Sequence, residues 1–139
     1  MKKLLWFYLV CLPAFANSDS NTSFSLESIA GVWKSNWTSV PGEKQTLTFQ
    51  EPGDSKFLRI FPDGDEIHVS ASISDTTILD DIILIEYYDG DFGIRYKLVL
   101  SGWHVEEGGK RASAIYGTMF LYQNGRQFNG FPVSFRPAS

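Results

Sequence analysis

The residues able to do chemistry are few in this chain and poorly placed for it. The two histidines are His68 and His104. With Asp80, Asp81 or Glu106 they offer donors for a metal, but their spacing carries no ligand signature. They read instead as strand histidines, His68 on the polar face of its strand. Nucleophilic catalysis needs a Ser or Cys beside a base; no Gly-x-Ser-x-Gly elbow occurs, and the one cysteine is Cys11. The carboxylate pairs Asp80-Asp81 and Glu106-Glu107 are sequence neighbours, which point to opposite faces of a strand and do not cooperate as acid and base. Two Asp-Gly-Asp triplets, at residues 63–65 and 89–91, invite calcium. Neither continues into a twelve-residue loop ending in Glu, and hairpin turns account for both. No glycine-rich phosphate cradle is present. The expectation is a protein that is not an enzyme and carries no metal or cofactor.

Aromatic residues are the other functional resource, at 15% of the chain. Most belong to a core. Trp37, Tyr87, Tyr88 and Trp103 lie near expected strand ends, with His104 beside the last, and these five are the candidate contacts for a ligand or partner.

The elements that position them read as strands. Leu26 to Ala30 suits one short helical turn, and no later segment of ten or more residues has helical period. Short β-rich runs recur, each closed by a turn: 31–39, 44–50, 56–61, 66–73, 79–88, 92–105, 111–122 and 127–136. Leu47 and Phe49 alternate with Thr46 and Thr48; Ile67, Val69, Ala71 and Ile73 share one face of the fourth run. Ser74 to Thr77 reads as a turn, Ser101-Gly102 as a bulge, and Asn124-Gly125 as the best two-residue hairpin turn. Pro132 marks an edge or bulged position. Eight strands joined by tight turns are antiparallel throughout. The expected fold is all-β, an eight-stranded up-and-down barrel, with a two-sheet sandwich as the alternative.

The chain has 139 residues, which is one domain's worth. Its net charge of -4 argues against a nucleic-acid binder. Residues 1–16 have the parts of a secretory signal peptide: Lys2-Lys3, an uncharged run from Leu4 to Leu12 too short to span a bilayer, and Ala14-x-Ala16. Cleavage after Ala16 removes Cys11 and two lysines. It leaves 123 residues with 10 basic and 16 acidic side chains, a charge of -6, and no disulfide. The expected address is periplasmic or secreted, with 17–26 a flexible polar tail and 27–139 the barrel domain.

Gly31-Val32-Trp33, entering the first strand of such a meander, resembles the lipocalin and wider calycin group. The resemblance implies that Trp33 closes one end of the barrel and that a basic residue late in the last strand, here Arg136, packs over it. The Thr-Asp-Tyr motif of many lipocalins is not found; Asp89-Gly90-Asp91-Phe92 occupies that part of the chain.

Two functions follow as expectations. One is a small exported binding protein whose barrel holds an apolar or aromatic ligand. The other is a periplasmic inhibitor or immunity-type protein that blocks a basic enzyme, such as a cell-wall hydrolase, with the acidic turns at 63–66, 89–91 and 106–107. An open apolar cavity of about 300 Å3 or more would favour the first; a filled interior with an exposed aromatic and acidic patch would favour the second.

Overall fold

The computed structural model describes residues 25–50, 53–106, 108–109 and 111–138. The expected signal peptide with Cys11, and most of the expected polar tail, lie outside the described residues. Nine antiparallel strands form one sheet: β1 (Gly31–Ser35), β2 (Lys44–Phe49), β3 (Ser55–Ile60), β4 (Glu66–Ala71), β5 (Thr76–Leu79), β6 (Ile82–Asp89), β7 (Ile94–Val105), β8 (Ala112–Gln123) and β9 (Arg126–Pro137). Their order is β4-β3-β2-β1-β9-β8-β7-β6-β5. The sheet curls until β4 meets β6, so the barrel is nearly closed and only β4 and β5 are edges. The up-and-down barrel is therefore the architecture, and the layout is compatible with a lipocalin-like barrel. Among the described residues no helix is long and apolar enough to cross a membrane.

Local chemistry explains most of the elements. Asn124 and Gly125 both take positive φ, 51° and 73°, as a type I′ hairpin turn requires. In the two Asp-Gly-Asp turns, Asp63 and Asp89 accept backbone N–H bonds from Asp65 and Asp91, each at 3.0 Å. That is the turn chemistry of aspartate, with no cation needed. The bulge in β7 falls between Leu100 and Gly102, opposite Gly117 and Tyr116. A Cβ on Gly117 would overlap the Val99 carbonyl, so the two strands approach there only because that residue is glycine. Pro132 lies on β9 beyond the stretch that β1 covers, where its missing N–H costs no ladder bond on that side.

Among the described residues the strand count is nine, not eight. The segment expected as a turn at 74–77 and the run expected to start at Leu79 are divided differently. Ser72 and Asp75 cap each other around a short 3-10 turn, Ile73–Asp75. The chain then extends as β5, reverses at Asp80-Asp81 with Asp80 at φ 47°, and returns as β6.

Inward-facing side chains fill the barrel: Leu47, Phe57, Ile83, Ile85, Leu98, Leu100, Ile115, Met119 and Phe135 are all at or below 1% exposure. Each buried aliphatic or aromatic side chain stabilises the fold by about 1.5–3 kcal/mol. At the seam, Tyr87 on β6 reaches Ser55 on β3 with a 2.9 Å hydroxyl contact, and its ring lies 6.2 Å from that of Phe57.

Candidate functional site

Strand direction sorts the connections between two ends. β1 runs away from Trp33. The β2–β3, β5–β6 and β7–β8 connections therefore open on the Trp33 end. The β1–β2, β3–β4, β6–β7 and β8–β9 connections open on the opposite end, where a lipocalin-like barrel would have its mouth.

The Trp33 end is sealed by apolar groups. Trp33 is buried and donates its Nε1–H to the Ile29 carbonyl at 2.7 Å, beneath a 3-10 turn, Glu27–Ile29, whose Ile29 is itself buried. Gly31 takes a left-handed φ of 119° beside Trp33. Arg136 does not complete the arrangement. It pairs in register with Lys34, whose side chain faces outward because Trp33 faces inward, and it is exposed. The guanidinium at this end belongs to Arg111, which donates to the Ala30 carbonyl over Gly31.

The opposite end is sealed by charge. Glu43, at the end of the β1–β2 loop, is buried and accepts a 2.5 Å bond from Arg59 Nε on β3. Gln45 donates to the same carboxylate oxygen at 3.2 Å. The Arg59 guanidinium lies over the rings of both Phe61 and Phe131, 4.9 and 5.0 Å from their centroids, a geometry that favours a cation. Tyr96 sits beside it; burial pushes its phenol up, and the Arg59 charge partly offsets that. Glu43 Oε2 has no hydrogen-bond partner among the described residues. The barrel interior therefore ends under a salt-bridged plug rather than an open mouth. Two hollows lie on the outer surface: one of about 280 Å3 outside β2–β4, by Thr48, Lys56 and His68, and one of about 460 Å3 at the Trp33 end, by Val32, Trp33 and Arg111.

Around the plug, the exposed groups include acidic and aromatic side chains together with basic ones, Lys44, Arg95 and Arg126, of which Arg95 lies 5.9 Å from the centroid of the Tyr88 ring. The triplets 63–65 and 89–91 both turn at this end, and among the described residues none of Asp63, Asp65, Asp89 or Asp91 is in an ion pair. Trp37 in the β1–β2 loop, Tyr88 and Phe92 are 54%, 61% and 66% exposed. Of the five candidate contacts, the fold brings Trp37 and Tyr88 to this end. Trp103 is half-buried against the core near the Trp33 end, His104 is exposed beside it, and their strand neighbours are Ile115 and Ala114. Tyr87 faces inward and is buried; burial raises its phenol, the Ser55 hydroxyl lowering it only in part. Of the acidic turn expected at 106–107, Glu106 follows β7 at the Trp33 end and Glu107 lies outside the described residues. His68 pairs with Glu66 at 2.8 Å on β4, remote from His104, and among the described residues no group of three metal donors forms.

Glu43, Arg59, Gln45, Tyr96 and Phe92 escaped the sequence reading. The first three were detectable in principle. Glu43 and Gln45 share strand parity with Leu47 and Phe49, and Arg59 with Phe57, so a charged pair stands on two otherwise apolar faces. Compared with known proteins, the chain matches no family model, no curated protein and no solved structure.

Proposed function

We propose that this protein works by binding a basic protein partner at the plugged end of the barrel, as an exported inhibitor or immunity-type protein would. The observation that carries the reading is the contrast between inside and outside at that end. The interior is filled with side chains inaccessible to water, and a buried Glu43–Arg59 pair stands where a ligand would enter. Outside, exposed Trp37, Tyr88 and Phe92 share this end with two turns whose Asp63, Asp65, Asp89 and Asp91 are in no ion pair among the described residues, although Arg95 lies over the Tyr88 ring. Aromatic anchors inside a charged rim are the usual composition of a protein interface. Complementary charge would speed association and make it sensitive to salt. Export after cleavage at Ala16 belongs to the same reading and gives the chain its charge of -6. The lipocalin-like resemblance then concerns architecture, with the calyx replaced by a packed core.

The test is titration of the full chain against a panel of basic cell-wall hydrolases, at low and high salt. A binder should be found whose affinity drops at least tenfold on Asp63, Asp65, Asp89 and Asp91→Asn together and on Trp37→Ala. Unchanged affinity in both variants would overturn the reading. A small ligand has one observation in its favour, the outer hollow beside Trp33 and Arg111. Recovery of a small molecule from the purified protein, lost on Arg111→Ala, would move the function there.

A further inference from the structure

The β5–β6 hairpin exposes a second, independent surface at the Trp33 end. β5 is an outer edge of the sheet, bonded only to β6. Its residues, Thr76, Thr77, Ile78 and Leu79, include no charge and no proline, the devices that normally guard an edge. Ile78 and Leu79 are 47% and 54% exposed, and Ile82 and Ile73 beside them are also open to solvent. Four carboxylates frame this apolar strip: Asp54, Asp75, Asp80 and Asp81. Asp54 and Asp75 are occupied with the backbone N–H groups of Ile73 and Ser72. Asp80 and Asp81, at the hairpin tip, are fully exposed, and no ion pair among the described residues neutralises any of the four.

We propose that β5 takes up an extended segment of a partner protein that alternates apolar and basic residues, added as a further strand. Thr76 N–H already bonds the Ile73 carbonyl, so the remaining outward main-chain groups of β5 supply the ladder bonds, as in other cases of strand addition. Ile78, Leu79 and Ile82 supply the apolar area. Asp80 and Asp81 select a cationic segment. The same charges disfavour a second copy of this chain, because a two-fold antiparallel β5–β5 pairing sets the Asp80-Asp81 turn of one copy beside Asp75 of the other. Like charges so placed across strands are destabilising. The proposal does not rest on the partner reading above, which concerns the other end of the barrel.

The experiment uses the full chain and an acetylated, amidated octapeptide alternating lysine and valine. Binding is followed by titration, and the β5 amides by hydrogen exchange. The lysine peptide should bind and protect the amides of residues 76–79. Its affinity should fall at least tenfold in Ile78→Lys and in Leu79→Lys, two variants whose fold is checked by circular dichroism. A glutamate–valine peptide, and a lysine–valine peptide methylated on alternate backbone nitrogens, should bind at least tenfold more weakly. Absence of lysine-peptide binding, or equal binding of the methylated or acidic peptide, overturns the proposal. So does a dimer in sedimentation that Ile78→Lys dissociates, which would assign the edge to a second copy.

Discussion

The two ends of the barrel solve one problem with different chemistry. At one, an indole is buried under Ile29 and satisfied by a single neutral bond to a carbonyl. At the other, a carboxylate and a guanidinium are buried together, with two aromatic rings against the cation and one carboxylate oxygen without a partner among the described residues. Burying the indole is favourable in itself. Burying the ion pair is favourable only while both members are present, because each charge has been taken from water and is repaid by the other. The apolar seal is thus stable piece by piece, whereas the charged seal is conditional. Its condition ties the β1–β2 loop, which carries Trp37 and ends at Glu43, to Arg59 on β3.

Single and paired substitutions separate the two cases most sharply. Arg59→Met leaves Glu43 buried without its counter-charge, at a cost of about 3–5 kcal/mol. Trp33→Ala leaves a cavity and an unsatisfied Ile29 carbonyl, for a loss of similar size, about 3–5 kcal/mol. Against a typical stability of about 5–15 kcal/mol, each is severe. The difference lies in rescue. Adding Glu43→Leu to Arg59→Met removes the stranded charge and should recover most of the loss, whereas no substitution at Ile29 restores what Trp33→Ala removes. Chemical denaturation of the three variants and the double variant measures this. A double variant no more stable than Arg59→Met would mean that the pair is not the conditional seal described.

Alkali offers a second contrast, of smaller size. Burial raises the Tyr87 phenol above its ordinary value of 10.0, against the weaker effect of its Ser55 bond, and Tyr96 beside Arg59 is raised as well. Above pH 10 the unfolded chain gives up these protons while the native barrel keeps them. Stability linked to these phenols is therefore intact below pH 10 and is lost as pH rises beyond it, by up to about 1.4 kcal/mol per pH unit for Tyr87. Tyr87→Phe should lower stability at neutral pH by about 1–2 kcal/mol, through the unpaired Ser55 hydroxyl, and should flatten the alkaline slope. A slope that survives Tyr87→Phe unchanged would assign it to other groups.

How much of this was legible beforehand depended on how local the cause was. The Asn124-Gly125 turn, the Asp-Gly-Asp turns and the Ser101-Gly102 bulge are set by a few adjacent residues whose conformational preferences are strong, and each appears where the residues imply. β5 was missed because its boundary is a left-handed aspartate in an apolar run, and Asp80 reads equally well as an exposed strand residue. The plug was missed because it joins a loop end to a strand that is not adjacent in the chain, and parity alone does not say which buried charge meets which. Of the candidate contacts, Trp37 and Tyr88 share an end because both lie near connections of the same hand. Tyr87 does not join them because its neighbour's exposure forces it inward.

The basic residue at the Trp33 end is the remaining point where the sequence resemblance and the barrel part company, and it carries the smallest expected effect. Arg136 stands outward opposite Lys34, a like-charged neighbour, and is exposed. Arg111 bonds the Ala30 carbonyl and covers Gly31. Arg136→Ala should therefore change stability by no more than about 0.5 kcal/mol, in either direction. Arg111→Ala should cost about 1 kcal/mol and loosen the 3-10 turn, Glu27–Ile29, over the indole. Trp33 reports the difference directly: its environment, followed by fluorescence against a Trp6→Phe, Trp37→Phe and Trp103→Phe background, should shift toward water in Arg111→Ala and stay constant in Arg136→Ala. The reverse pattern would restore Arg136 to the role the resemblance assigns it. It would also mean that the seal at this end is closed from the last strand rather than from the start of β8.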